Sequence, residues 1–489
     1  MYAHNETFSY LQHALELLEE KNANLEAKAR ITESLGDTKA WVGEIDASMK
    51  YWNESLALWG QLGNKESVSR LHVKMARIFW DVVGDKEKAS GHHRMALEIL
   101  EKEPESVELA SLYEDISHML WRTGEGSKAL SYAQKAFELA QKLGSTEILA
   151  ECYNDLGSLS SISGEIEKSI EYMEKGLKIA VENNCTKPAL RLYNNLSLWY
   201  DWIGDFQRGF EMRQKGFELT KKVGDVHQMS WTGGTLSWEY MDMGEMQKAF
   251  SMAEELLALD KRTKNVIGIA QATAYLGRGY LFLGEWDKSL QYLMEAHEIA
   301  KKTEDYQTSG IISFLLGELF MEMGSYDEAE EYLGESYSIF ERAADANLQF
   351  FWASPPLLKL YLKKGEIEKA KELVGKICEY APKTRNRLSA TEAEMLKAML
   401  LREQKNWEQS IQHFEKSLRE CKSLNLQRWN LPWFAELLYE YGLMYLERNE
   451  EGDKEKAYSL LNQALEIYQK IDARKKIEKI IAKKKLLTA

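Results

Sequence analysis

Apolar and polar positions along this chain follow a helical period, and the pattern itself repeats about every forty residues. In residues 153–180, one such unit, apolar side chains stand three or four positions apart on both sides of Gly164: Tyr153, Leu156, Ile166, Ile170, Met173 and Leu177. This spacing predicts two α-helices, each with one apolar stripe. Glycine adopts backbone conformations that a residue with a Cβ avoids, so Gly164 predicts the turn between two antiparallel helices.

The turn position recurs along the whole sequence. It falls at Gly43, Gly84, Gly124, Gly164, Gly204, Gly244, Gly284, Gly324, Gly365, then at Lys405 as a departure, and at Gly452. Five residues after each turn stands a small residue: Ser48, Ala89, Ala129, Ser169, Gly209, Ala249, Ser289, Ala329, Ala370, Ser410 and Ala457. Small residues are needed where paired helices cross most closely. The sequence therefore predicts an all-α solenoid of about 11 helix-turn-helix repeats, in which each repeat covers the apolar face of the next.

The pattern divides the chain into four segments. Residues 1–22 predict a lone N-terminal helix, which either caps the array or is the remnant of a repeat cut from a longer protein. Residues 23–343 form a regular array, and residues 344–472 an irregular one after a kink induced by proline. Pro355 and Pro356 lie where a first helix should already be running, so we expect that helix to begin at Ser354 or to bend there. Residues 473–489 predict a basic capping helix.

These features resemble the tetratricopeptide repeat in its longer form of about forty residues. The spacing is similar to that of arrays in kinesin light chain, in cell-polarity adaptors, and in the C-terminal halves of some cyclases and ATPase-type regulators. The resemblance implies a right-handed superhelix whose first helices line a concave groove. It also implies that each repeat touches only its neighbours.

Composition agrees with repeated amphipathic helices. The chain has 29% charged and 44% hydrophobic residues and only six prolines. No run of 18 apolar residues is present, so we expect no membrane span, and the N-terminus lacks the pattern of a secretory signal. The four cysteines are far apart and form no CxxC pair, which predicts neither a disulfide framework nor a zinc site. A cytoplasmic location is the simplest interpretation.

Charge argues against a nucleic-acid partner. The net charge is −14, and the last 17 residues carry seven basic residues and one acidic residue, so the remainder is more acidic still. Nucleic acid requires a cationic surface. The basic tail could be a membrane or nucleic-acid patch. The favoured interpretation is a cap on the last repeat, with lysines in solvent outside an apolar stripe: Ile477, Ile480, Ile481 and Leu487.

Motifs for catalysis and metal binding are missing from the sequence. The segment TGEGSK at residues 123–128 lacks the first glycine and the Lys-Ser order of a phosphate-binding loop. His92 and His93 are adjacent, so they point to different sides of a helix, and no HExxH accompanies them. We therefore predict no catalytic residue, no cofactor and no metal site, and a protein that is not an enzyme.

The groove implied by the resemblance changes character along the chain. In the early repeats its positions are charged: Glu33, Asp37, Arg77, Asp81, Glu114, His118 and Arg122. Asn154 and Asn194 follow at equivalent positions of neighbouring repeats. In peptide-binding arrays of this family, similar asparagines hold a peptide backbone through amides that both donate and accept hydrogen bonds. Each could instead satisfy a helix carbonyl or water.

Beyond the asparagines the groove positions become largely aromatic and apolar. The candidates for receiving the side chains of a partner are Trp202, Trp238, Arg278, Phe282 and Phe314. Any single aromatic residue among them could be ordinary core. Taken together they predict a lining for an amphipathic helix or an apolar peptide. We expect these groove residues to face solvent in the free protein.

Two functions follow from the sequence. The first is a non-catalytic scaffold that binds a peptide or amphipathic helix of a protein partner in its groove. The alternative is a regulatory or sensor array that belongs to a larger signalling protein, such as a cyclase or an ATPase-type regulator.

Overall fold

The structure, a computed structural model, describes residues 2–20, 24–162, 164–384 and 386–488. Every regular element in these ranges is helical, which confirms the all-α prediction. The first half contains α1 Tyr2–Glu20, α2 Leu25–Trp41, α3 Ile45–Gln61, α4 Lys65–Ile78, α5 Lys86–Leu100, α6 Val107–Arg122, α7 Gly126–Leu143, α8 Thr146–Ile162, α9 Ile166–Glu182, α10 Thr186–Trp202, α11 Phe206–Val223, α12 Val226–Asp242 and α13 Met246–Thr263.

The second half continues the same alternation with some interruptions. It contains α14 Val266–Leu283, α15 Trp286–Ala300, α16 Tyr306–Met323, α17 Tyr326–Arg342, α18 Ala346–Leu348, α19 Ser354–Lys364, α20 Ile367–Thr384, α21 Arg387–Glu403, α22 Trp407–Ser423, α23 Leu426–Trp429, α24 Leu431–Arg448, α25 Asp453–Lys470 and α26 Arg474–Thr488. Eleven hairpins, from α2–α3 to α24–α25, lie in the described ranges, and α1 and α26 flank them.

Each hairpin forms because a left-handed turn and a close helix crossing occur where the sequence places glycine and small residues. Gly284 has φ +76°, a conformation that favours glycine, and it ends α14. Gly277 lies at the crossing, where a Cβ would come within 2.7 Å of the Leu293 side chain. The Ser289 hydroxyl donates a hydrogen bond of 2.8 Å to the Gly277 carbonyl across the same crossing. The small-residue positions are therefore close-packing positions, as predicted.

The superhelix is wound so tightly that successive turns touch. A Cβ on Gly43 would lie 2.3 Å from Thr263 Cγ2, and one on Gly204 would lie 2.2 Å from Leu424 Cδ2. In both pairs the partner is 220 residues further along the chain. The expectation that each repeat touches only its neighbours is wrong, because five and a half repeats complete one turn and bring distant hairpins together.

Ion pairs reinforce the contact between turns. Arg122 Nε donates a hydrogen bond of 2.6 Å to Asp305 Oδ2, and both side chains are buried. At the outer surface Lys86 pairs with Glu304 at 3.0 Å. Because 183 residues separate Arg122 from Asp305, this pair joins two superhelical turns and not two neighbouring repeats.

The irregular segment contains the helix start that the prolines predict. The α-helix α19 begins at Ser354, with Pro355 and Pro356 in its first turn, and a π-helical segment, Gln349–Ala353, precedes it. A second π-helical segment, Phe79–Val83, follows α4 and was not predicted.

The C-terminal helix α26 packs against the array only partly as predicted. Ile480 is buried and Ile477 half-buried, but Ile481 is 42% exposed, and the side chain of Leu487 lies outside the described residues. The prediction that the lysines stay in solvent is wrong for Lys476. Its ammonium group pairs with Glu322 at 2.9 Å and Glu436 at 3.2 Å, which attaches α26 to two earlier repeats.

Candidate functional site: an interior channel

The stacked turns enclose a channel whose wall comes mainly from the first helices of the hairpins. Its more apolar part, which we call the aromatic chamber, has a volume of about 470 Å³. Nine of the 14 tryptophans of the chain line it. They are Trp121, Trp199, Trp202, Trp231, Trp238, Trp286, Trp352, Trp429 and Trp433.

A second chamber adjoins the first on the N-terminal side. This charged chamber has a volume of about 540 Å³, and its polar wall includes Asp37, Arg70, Lys74, Arg77, Asp81, Glu114, His118, Arg122, Glu151, Arg191 and Asp305. Six of the seven charged groove positions predicted from the early repeats line it, and Glu33 does not. Four residues line both chambers, so the two form one channel: Trp121, Asn195, Trp231 and Gln271.

The structure brings five predicted site residues together in the wall of the aromatic chamber: Trp202, Trp238, Arg278, Phe282 and Phe314. Trp238 and Phe282 are half-buried and reach the open volume. The other three are buried, with exposed fractions of 7–9%, so the expectation that they face solvent is wrong. The reason is packing against other repeats: Trp202 lies against Phe351, which is 149 residues further along the chain, and Phe314 lies against Trp352 of the following repeat.

Trp352 provides much of that packing. Its ring contacts Trp238 edge-on at 4.9 Å between centroids and Phe314 edge-on at 5.3 Å. The sequence analysis did not assign Trp352 to the groove, because it lies in the π-helical segment outside the repeat frame. The run of aromatic residues at 350–352 was the only local signal.

The two predicted asparagines do not line either chamber. Asn154 and Asn194 are 0% and 1% exposed. Asn154 Oδ1 accepts a hydrogen bond of 2.9 Å from Asn195, and Asn194 Oδ1 accepts one of 3.0 Å from Thr235. The expectation that both amides face solvent is wrong, because these contacts bury them between first helices.

The residue that faces the channel is the neighbour, Asn195, which lines both chambers. One step along α10 turns a side chain by about 100°, so an error of one position moves the assignment from groove to helix interface. The sequence signal for Asn195 was present in the Asn-Asn pair at 194–195, and the repeat frame selected the wrong member.

Arg278 links polar and aromatic parts of the chamber wall. Its guanidinium pairs with Asp242 at 2.5 Å and donates to the Trp238 carbonyl at 3.2 Å. The same group lies 3.7 Å from the centroid of the Trp238 ring and 4.5 Å from that of Phe282. These cation–π contacts hold two half-buried rings in place on the channel wall.

The charged chamber is organised around Arg191. The guanidinium contacts Glu114 at 2.8 Å, Asp155 at 3.0 Å and, at a very short distance, Glu151. Burial disfavours the charged form of a carboxyl group, and it raises the pKa of Glu151 to about 7 although Arg191 acts in the opposite direction. Burial and the nearby guanidinium lower the pKa of His118. Most charges in this chamber are thus already partnered within the protein.

The channel offers surface for binding and no assembled metal centre in the part of the chain that the structure describes. There, no group of three or more His, Cys, Asp or Glu side chains is placed to hold a metal ion. Among the described helices, none has the length and apolar character needed to cross a membrane. Half-buried aromatic rings beside fixed charges are the composition of a ligand pocket.

The repeat pattern and the stacked hairpins agree with comparisons to known proteins. The profile of the tetratricopeptide repeat family matches residues 108–180 and 269–342. The chain therefore contains tetratricopeptide repeats in these two segments. None of the curated proteins matches its sequence significantly.

Solved tetratricopeptide-type structures share the fold. A Rap protein complexed with competence and sporulation factor is similar with a TM-score of 0.56 and 16% identity, over 76% of this chain and 100% of that one. NprR in complex with its cognate peptide NprX is similar with a TM-score of 0.50 and 14% identity, over 72% of this chain and 97% of that one. At these identities the likeness concerns the fold alone.

Proposed function

We propose that the chain is a non-catalytic interaction scaffold that holds a peptide, or a short amphipathic helix of a protein partner, inside its channel. The observation that carries this proposal is the aromatic chamber, a concave volume of about 470 Å³ with Trp238 and Phe282 half-buried on its wall. Pockets of ~300–1,000 Å³ with apolar walls and a few fixed polar groups are typical of ligand sites.

The arrangement favours a peptide over a flat protein surface. A cavity of about 470 Å³ between stacked superhelical turns suits a narrow occupant, either an extended peptide or a single short helix. Rigid aromatic rings supply buried area at little conformational cost. Asn195, at the junction of the chambers, has an amide that can both donate to and accept from a peptide backbone. The peptide-bound state of NprR, a protein of similar fold, supports this choice.

A binding experiment tests the proposal. A library of short synthetic peptides is screened against the full chain, and the affinity of the best binders is measured for Phe282→Ala. Truncating an aromatic anchor is expected to cost about 2 kcal/mol or more of binding free energy. Phe282 is half-buried, so the variant should keep its melting temperature within a few degrees.

Phe250→Ala is the matched control. Phe250 is also half-buried, but it lies on α13 against Tyr280, outside both chambers. The control should bind peptide as the parent does. If the two variants lost equal peptide affinity, or if only Phe250→Ala lost affinity, the peptide would bind outside the channel.

A further inference from the structure

The aromatic chamber has an imbalance of charge that indicates what kind of peptide it takes. Its wall contains eight carboxylates and five cationic side chains. Two of the cations are committed to neighbours that also belong to the wall. Arg213 pairs with Glu239 at 2.5 Å and with Asp201, and Arg278 pairs with Asp242. A carboxylate of the wall that has no cationic partner within the protein is free to pair with a cation of the ligand.

Lys476 and Lys359 are committed as well. Lys476 bridges Glu322 and Glu436, and the Lys359 ammonium lies 4.0 Å from Glu436. The fifth cation, Lys475, is exposed and pairs with Glu478 at 3.0 Å, outside the chamber wall. No cation on the wall is therefore left over to neutralise a further acid.

Three carboxylates of the wall have no ion pair among the described residues: Glu318, Asp345 and Glu392. Asp345 accepts a hydrogen bond of 2.9 Å from the Tyr306 hydroxyl, and Glu392 accepts one from Trp433. Among the described residues, Glu318 has neither an ion pair nor such a hydrogen bond.

Glu318 lies on α16, half-buried, between Phe314 and Glu322 on the chamber side of the helix. Burial raises its pKa to about 7, against the opposing field of Lys359, Arg278 and Lys476, and Glu436 adds to the rise. The Glu318 carboxyl is therefore about half ionised near neutral pH, and a cation of the ligand would stabilise its ionised form.

We propose that the aromatic chamber selects peptides carrying a lysine or arginine flanked by apolar side chains, and that this cation is placed beside Glu318. This inference rests on the proposed function and specifies the chemistry of its ligand. Two features of the wall support it together. The excess of carboxylates is complementary to a positive charge, and indole rings present faces that attract cations.

A peptide with an acidic residue at the same place is disfavoured by the same wall. It would bring a further negative charge next to Glu318, on a wall that already carries eight carboxylates. A peptide with a neutral apolar residue would form no ion pair with Glu318 and would gain nothing from its charge. The order of affinity is therefore basic, then neutral, then acidic.

The test uses three blocked hexapeptide pools in which phenylalanine and leucine alternate with serine, and one variable position holds lysine, norleucine or glutamate. Binding to the full chain is measured by the fluorescence of the chamber tryptophans and by calorimetry. We expect the lysine pool to bind about tenfold more tightly than the norleucine pool. Glu318→Gln should abolish this difference without changing the norleucine pool, whereas Glu331→Gln, on the exposed face of α17, should leave it intact.

The pH dependence provides a second readout with a defined sign. The lysine pool needs the ionised carboxylate, so its affinity should rise about fivefold or more between pH 6 and pH 8, as Glu318 loses its proton near pH 7. The norleucine pool should be nearly independent of pH. In Glu318→Gln the pH dependence of the lysine pool should disappear.

The possible failures can be told apart. Equal affinity of the lysine and norleucine pools overturns the cation site and leaves peptide binding standing. A preference for lysine that survives in Glu318→Gln also overturns it, since the selection would then come from another group. Binding by none of the pools overturns both the cation site and the proposed function.

Discussion

Buried charges hold this array together where repeats of different superhelical turns meet. Asp305 is fully buried, caps α16 by accepting a hydrogen bond of 2.8 Å from the Thr308 amide, and pairs with Arg122. The Arg122 guanidinium also lies 4.6 Å from the centroid of the Trp231 ring at the junction of the two chambers. The Arg122–Asp305 pair thus joins two superhelical turns and also positions Trp231 in the channel wall.

Arg122→Ala should destabilise the protein strongly. Removing one partner of a buried ion pair leaves the other charge uncompensated, at a cost of about 3–5 kcal/mol. The exposed pair of Lys168 with Glu165 supplies the control, since Lys168→Ala should cost less than about 1 kcal/mol. Urea unfolding measures both. Equal stabilities of the two variants would mean that Arg122 does not bridge the turns in solution.

At the scale of helices and hairpins, most features of the fold could be predicted from the sequence. The positions of the turns, the close crossings and the start of α19 follow from glycine, small residues and proline, whose effects act within one hairpin. Ser354 was predictable because proline cannot continue a helix in its interior. That Asn195 and not Asn194 faces the channel could not be predicted, because the exact rotation of α10 depends on the helices packed against it.

The turn glycines test the contact between superhelical turns. Gly204 and Gly324 have φ of +86° and +84°, so alanine is strained equally at both. At Gly204 the added Cβ also meets Leu424 at 2.2 Å, whereas nothing lies within 4 Å at Gly324. Gly204→Ala should therefore cost about 1–3 kcal/mol more than Gly324→Ala in urea unfolding. Equal losses of unfolding free energy in the two variants would show that the superhelical turns do not touch at Gly204.

Close packing within a hairpin is tested separately at α7. Ala129 is 0% exposed at a helix crossing, and its neighbour Leu130 is 40% exposed. Ala129→Trp should cost roughly 1–3 kcal/mol or more through overpacking, and Leu130→Trp should cost little. Thermal unfolding of the two variants gives the comparison. An Ala129→Trp protein that melts like the parent would make the crossing assignment wrong.

At the scale of the whole molecule, the sequence predicted a groove and the structure contains a channel. The repeat pattern describes neighbours forty residues apart, but the pitch of the superhelix results from many small rotations added over five and a half repeats. That sum brings Gly43 against Thr263 and Gly204 against Leu424. Residues predicted to be open to solvent, such as Trp202, are consequently buried.

The location of the bound peptide tests the central claim most directly. A peptide selected from the library is synthesised with a photoreactive phenylalanine analogue, crosslinked to the full chain, and mapped by mass spectrometry. The account predicts crosslinks to channel residues such as Trp231, Trp238 and Phe282, and their loss when unlabelled peptide competes. Crosslinks confined to the second helices, for example to Tyr292 on α15, would contradict it and place the binding surface outside the channel.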